Sequence, residues 1–410
     1  MRNSGQIDFP PPGRRRFLKD AAAVGIASTV ALLSRVSITE AAVCPPAAPQ
    51  GPIAELNTLE QVRRAGRALG GTAIKGVDLS ALDADYWRAA EIDRTYFLGC
   101  RFASTEIEAM LQQRGAVIFP RFENLPYDPY RTSLYMPEEL SRELASGVTI
   151  DEAIYCDYLA KGAQSPGIIE ALTRRIYDDS MDDALRSYLK KAGGDKVVGI
   201  MGARETSRAD PWYRRTAETA RLLARAGKLV MSGGGGGMME AANLGAYLSS
   251  YDDSALDQAL EILGKAPGRE ATEWRSRALE VRSRFPGGAD SLGVSTWFYG
   301  REPTNQFAGH IAKYFDNGTR EWNLIHISAA GIVFAPGSAG TREEIFIGAE
   351  QSHHAAPGFR NVMVFLGKQQ YEVYAPIFSV LREFANAKDV LFITDSPAQA
   401  AEFIVKRAAP

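Results

Sequence analysis

Ser232-Gly233-Gly234-Gly235-Gly236-Gly237-Met238-Met239-Glu240-Ala241-Ala242-Asn243 places five consecutive glycines ahead of a string of good helix formers. Glycine loses more backbone freedom on folding than any other residue, so such a run needs a compensating use. The use that fits is close approach of bare amides, and of the dipole of the following helix, to an anion, most often phosphate. Residues 228–231, just before the run, are apolar enough for a strand. Strand, glycine loop and helix in that order make one unit of a parallel sheet, which a flexible linker at this position would not.

Outward from that unit, short apolar runs alternate with helical stretches from residue 196 to the end, the signature of a parallel sheet with helices on both faces. Strands are predicted at 196–201, 228–231, 292–298, 331–335, 361–366 and 390–393. A charged insertion of helical period, 251–288, separates the second from the third, and Ser396-Pro397 opens the last helix with a cap and a first-turn proline. The expectation is an α/β, doubly wound, Rossmann-like domain of six or seven strands over 191–410.

Ligands of such sheets bind beyond the carboxyl ends of the strands, where two further loops are informative. Gly202-Ala203-Arg204-Glu205-Thr206-Ser207 follows the first strand, and Gly202 and Arg204 are candidate anion contacts. Pro336-Gly337-Ser338-Ala339-Gly340-Thr341-Arg342-Glu343-Glu344 leaves the fourth strand and opens a helix, where the amides of Gly337, Ser338 and Gly340 and the Thr341 hydroxyl suit a second phosphate contact. Glu344 falls one turn into that helix, near enough to its N-terminus for the dipole to favour the ionised form; capping is the plainer alternative.

The two glycine loops together, in this order, resemble the Lonely Guy (LOG) family of Rossmann-like nucleoside monophosphate phosphoribohydrolases, once mislabelled lysine decarboxylases; the resemblance covers about 196–404. Gly233, Gly234, Gly235, Gly237 and Met239-Glu240-Ala241-Ala242 match its first motif, and Pro336, Gly337, Gly340, Thr341 and Glu344 its second, with Ser338 in place of a glycine. The family's catalytic arginine stands about fifteen residues before that proline; the count lands on Glu321, with Arg320 one place earlier, a step that turns a helical side chain by roughly 100 degrees. Arg320 is the nearest match, and Asn323 and His326 fall one and two turns beyond it, as candidates for the same cleft or for core and surface positions. The resemblance also implies a homodimer with sites near its interface.

Breaking an N-glycosidic bond develops positive charge on the ribose and negative charge on the base, so Glu344 suits the first and Arg320 the second. The glycine loops, with Met239 and Glu240, would hold the nucleotide and position the sugar. Neither loop contains a lysine for a pyridoxal Schiff base, and His310, His326, His353 and His354 form no metal motif, so no cofactor and no metal are expected. The rival is a non-catalytic carrier or sensor in which the same loops hold a nucleotide or a molybdenum-cofactor-like ligand. A third reading, an interaction module docking through the repeat-like region, names no partner.

The segment ahead of this domain is expected to be separate. Residues 13–19 read G-R-R-R-F-L-K and an apolar run follows at 21–33, which together match a twin-arginine signal addressing the chain to that export machinery, with cleavage near 41–43. A Pro/Ala linker then leads into a 44–190 accessory region. There Leu82, Trp87, Ile92, Phe97 and Phe102 recur every five residues, each two places after Ser80, Asp85, Ala90, Thr95 or Cys100, a pattern resembling the inward positions of pentapeptide repeats or arising by chance in strands and a helix. Residues 121–143 are proline-rich, with Tyr127, Tyr130 and Tyr135 expected to pack or to border a pocket, and helices should fill 151–192 before Gly193-Gly194. The three cysteines are too scattered for a disulfide framework; a Cys100–Cys156 bridge and two plain thiols are both open.

Composition sets the outer bounds. With 410 residues, 45% hydrophobic and 23% charged, the chain is that of a soluble globular protein of about two units. Net charge is −2, and near −5 without the first 43 residues, which argues against a nucleic-acid partner.

Overall fold

The computed structural model describes residues 53–268, 273–354, 362–383 and 389–407. The twin-arginine segment and Cys44 lie outside the described residues. One compact unit begins at Ile53, and it contains two parallel sheets.

The smaller sheet is a stack of strand-and-helix units. β1 (Glu55–Leu56), α1 (Leu59–Ala65), β2 (Ala73–Lys75), α2 (Ala84–Ala89), β3 (Tyr96–Leu98), α3 (Thr105–Gln113) and β4 (Val117–Phe119) alternate, and the strands pair in parallel in chain order. The five-residue rhythm maps onto this stack only in part. Leu82, Trp87, Ile92, Phe97 and Phe102 all turn inward, as do Ala90, Thr95 and Cys100, but Ser80 and Asp85 face solvent. A four-sided β-coil would need a turn every five residues; instead Asp83 accepts the Tyr86 amide proton and caps α2, so one coil takes about twenty residues. Trp87 stands edge-on to Phe97 and Phe102 at the centre. Cys100 is a free thiol in this core, its pKa pushed up to about 11 by burial, and Cys156 is free and exposed, so the bridge is not formed.

The connecting segment belongs to the larger core. α4 (Pro137–Leu140), α5 (Ile150–Ala160) and α6 (Ile168–Ala192) follow, and Tyr127, Leu140, Ile154, Tyr177 and Met181 share one hydrophobic cluster with the large sheet. Asp178 of α6 accepts amide protons from Phe315 and Asp316, and Tyr177 donates to the Lys313 carbonyl. The hydrophobic cores therefore divide near residue 120, ahead of the expected break at 190. Tyr127, Tyr130 and Tyr135 are all buried; the Tyr130 ring fills the space above Gly99, where a Cβ would lie 2.1 Å from it.

β5 (Val197–Met201), α7 (Pro211–Arg225), β6 (Leu229–Ser232), α8 (Met238–Tyr247), α9 (Ser254–Gly264), α10 (Trp274–Arg284), β7 (Leu292–Thr296), β8 (His310–Tyr314), α11 (Asn317–His326), β9 (Gly331–Phe334), α12 (Ala339–His354), β10 (Met363–Leu366), α13 (Ile377–Leu381), β11 (Leu391–Thr394) and α14 (Pro397–Arg407) complete the chain. The large sheet runs β11-β10-β9-β5-β6-β7-β8, every pair parallel. Strand order reverses between β5 and β9, so their carboxyl ends open a crevice, the usual ligand position in a doubly wound sheet. α9 and α10 occupy the insertion. The unpredicted strand is β8, whose His-Ile-Ala-Lys-Tyr lacks a pure apolar run because Lys313 is buried on Asp151 at 2.7 and 2.9 Å.

Candidate functional site

Three loops at the strand ends are stitched together by backbone. The Ala203 amide donates to Pro336 O at 3.0 Å, the Met238 amide donates to Ala203 O at 2.9 Å, and Ala335 N donates to Met201 O at 2.8 Å. These bonds seat both glycine loops beside the first loop and leave a cavity of about 400 Å³ over the crevice. Gly202, Arg204, Gly233, Met239, Arg320, Ser338, Gly340, Thr341 and Glu344 all line it.

The remaining predicted residues lie behind that lining. Gly234, at φ +73, is pressed against β7, and Gly237, at φ +61, has no room for a Cβ, which would sit 2.4 Å from Ala203 O. A Cβ on Gly235 would meet Glu302 Oε2 at 2.7 Å, and one on Gly337 would meet Thr341 Oγ1 at 2.2 Å. Close chain packing therefore accounts for most of these glycines. Glu240 is turned away from the cavity: Arg208 grips it at 2.5 and 2.8 Å and the Tyr213 hydroxyl donates to it at 2.9 Å, all fully buried. Its place is structural, since a buried carboxylate has to be paired. Asn323 bonds Asp182 at 2.6 Å, and the His326 ring stacks on Trp322, so neither reaches the cavity.

Arg320 does reach it. Its Nε donates to Val294 O at 3.0 Å and its Nη2 to Gly233 O at 3.3 Å, where a Cβ on Gly233 would lie 2.4 Å from Nη2. Gly233 is thus the residue that admits the guanidinium. Nη1 then faces two carboxylates, Glu321 Oε1 at 2.6 Å and Glu344 Oε1 at 3.8 Å. The three side chains are 5%, 2% and 6% exposed in the order Arg320, Glu321, Glu344.

Two acids and one base in so little water cannot all be charged cheaply. Burial first, then the neighbouring Glu321 charge and a hydrogen bond with it, push the Glu344 pKa up to about 8 against the lowering pull of Arg320. Burial and the Glu321 charge thus favour the protonated form of Glu344, against the expectation from the helix dipole. Desolvation outweighs a dipole contribution that is worth at most about 2 kcal/mol.

Sequence reasoning missed Glu321, Tyr299 and Glu302, which also line the cavity. Glu321 had a signal, since the fifteen-residue count falls on it. Tyr299 and Glu302 come from the 297–309 segment joining β7 to β8, whose reach over the cleft has no local pattern. Tyr299 donates to Glu321 at 3.2 Å; Arg204 donates to Glu302 at 3.0 Å and pairs with Glu205 at 3.0 Å.

Fold and cleft together define an α/β protein of Rossmann-like type with a cavity at the strand-order reversal. No family model matches the chain, and no curated protein matches it. Among solved structures it is similar to the molybdenum cofactor binding protein from the phototrophic bacterium Rippkaea orientalis, with a TM-score of 0.33, 13% identity and coverage of 52% of this chain and 97% of that one.

Proposed function

We propose that this cleft hydrolyses the N-glycosidic bond of a nucleoside 5′-monophosphate, giving free base and ribose 5-phosphate. The observation that carries the proposal is the meeting of Arg320 and Glu344, from two different helices, over Gly233 in one cavity. The α12 N-terminus, with Ser338, Gly340 and Thr341 at the cavity, suits the 5′-phosphate, and Arg204 stands on the same lining. Glu302 beside Gly235 disfavours an anion at the other glycine loop.

Glu344, protonated at neutral pH, gives its proton to the leaving base as the C1′–N bond breaks toward nitrogen. Water forms the new C1′–O bond, and the proton it loses returns to the Glu344 carboxylate. Arg320 holds the two acids in register and stabilises charge that gathers on the base. No cofactor enters these steps. The same proposal has the chain exported by the twin-arginine route and working as a homodimer. The alternative, a carrier or sensor of a nucleotide or molybdenum-cofactor-like ligand, uses the same loops without turnover.

Incubation with purine and pyrimidine nucleoside 5′-monophosphates, followed by chromatography, separates the two. Base release that drops about 10²-fold or more in Glu344→Gln supports the hydrolase. Tight binding without release from any of them supports the carrier.

A further inference from the structure

Beside the cleft lies a second cavity of about 350 Å³, walled by the 141–155 stretch, by Arg275 of α10, by the 297–304 segment and by Lys313 of β8; the two cavities share Glu302. Its carboxylates are all answered. Asp151, buried, takes Lys313 Nζ at 2.7 and 2.9 Å, the Trp297 indole at 2.8 Å and the Thr304 hydroxyl at 3.0 Å. Glu152 takes the Arg301 guanidinium and the Thr149 amide, and Glu302 takes Arg204 at 3.0 Å. Arg275 differs, as a lining cation with no carboxylate partner among the described residues. Its Nη2 donates to Ser141 O at 2.9 Å, and its Nε is buried without an acceptor. A buried donor left unpaired is costly, and folded proteins rarely keep one without a use.

The hydroxyls of the same wall are spare donors too. Ser141 Oγ accepts from Gln306 Nε2 at 3.0 Å and Thr149 Oγ1 accepts the Glu152 amide proton at 3.2 Å, which leaves each hydroxyl proton to give. The Tyr155 hydroxyl bonds no group among the described residues. A hydroxyl proton rotates to suit its partner, so these groups can converge on one acceptor. A cation entering here would meet carboxylates that are already paired and an arginine that is not. A ligand with one negative group and further acceptors matches what the wall leaves unspent. We propose that this cavity binds a small hydroxylated anion whose carboxylate or phosphate sits on Arg275. Either oxyanion suits the planar fork of a guanidinium, and the volume falls at the lower end of the range of small-molecule sites. The proposal stands whether or not the neighbouring cleft turns over nucleotides.

The test is calorimetric titration of the full chain with glycerate, with glycerol 3-phosphate and with uncharged glycerol. At least one of the two anions should bind, about tenfold or more tightly than glycerol, and the tighter anion identifies the group that Arg275 takes. Arg275→Gln should weaken that anion about tenfold or more, and Arg275→Lys, which keeps the charge but not the fork, by less. Tyr155→Phe, which removes a hydroxyl that the fold does not use, should weaken it about threefold. Ser338→Trp, at the exposed rim of the neighbouring cleft, should leave it within about twofold. No binding of either anion, glycerol binding as tightly as both, or binding lost in Ser338→Trp and kept in Arg275→Gln would overturn the proposal. Where Arg275→Gln does not fold, Arg275→Lys and Tyr155→Phe carry the test, and an affinity untouched in both overturns it.

Discussion

At the residue scale the site turns on which acid holds the proton. Glu344 is faced by Glu321 and Arg320 from α11, by Glu343 from its own helix, and by Tyr371, a short distance beyond β10. Its folded pKa, about 8, lies above the ordinary glutamate value of 4.5. Protonated Glu344 therefore contributes stability that is complete below the unfolded pKa and is lost as pH rises through about 8. Wild type should lose thermal stability relative to Glu344→Gln as pH rises from about 4.5 to about 8 and level off above that, as read by calorimetry at each pH. Turnover should fall as pH rises through about 8, because the general acid is then spent. A flat difference across the window would mean that Glu344 is already ionised at neutral pH. Glu344 was legible from the second motif, and Arg320 only as the nearest arginine to a count that falls on Glu321. The protonation was not, because burial and the Glu321 neighbour are products of tertiary packing.

At the element scale the glycine loops answer to two demands. Gly233 and Gly202 line the cavity, while Gly234 and Gly237 adopt φ near +70° and +60° with neighbouring chain against them. Gly237→Ala combines a left-handed backbone with a Cβ 2.4 Å from a carbonyl oxygen. It should destabilise the fold by about 2 kcal/mol or more, visible in urea unfolding. Ser338, exposed at the rim, imposes no such strain, and Ser338→Gly should change nucleotide affinity by less than about threefold. Strand positions were legible because buried parallel strands are nearly pure apolar runs. β8 escaped because its Lys313 is neutralised by Asp151, 162 positions away in sequence. The N-terminal stack was half legible: the large side chains of the rhythm do face inward, but Asp83 and the alanines around it favour a helix where a β-coil was expected. Trp87→Ala, at the centre of that stack, should cost about 3–5 kcal/mol.

At the scale of the molecule, the segment 121–192 ties the two sheets together. Lys75 of the small sheet pairs with Asp183 of α6 at 3.2 Å, and α6 in turn grips the β8 edge through Tyr177 and Asp178. The alternating strand-and-helix pattern begins just after Gly193-Gly194 and so suggested a boundary near 190, whereas a boundary in space follows the hydrophobic clusters. For the proposed homodimer, Trp322 on α11 and Phe346 on α12, 50% and 47% exposed, lie on helices that carry Arg320 and Glu344. Trp322→Glu with Phe346→Glu should halve the mass in sedimentation if a second copy covers them; an unchanged mass would place the interface elsewhere or remove it. Replacing Arg14 and Arg15 by lysine should retain the chain in the cytoplasm if the export proposal holds, as cell fractionation would read.

The most direct measurement is base release from a panel of nucleoside 5′-monophosphates by the purified chain and by Glu344→Gln, at pH 6.5 to 9.5 across the window, roughly, of the raised acid. The account predicts release of one or more bases with ribose 5-phosphate, falling above about pH 8 and reduced about 10²-fold or more in the variant. Release that survives in Glu344→Gln, or no release from any nucleotide that binds, would contradict it.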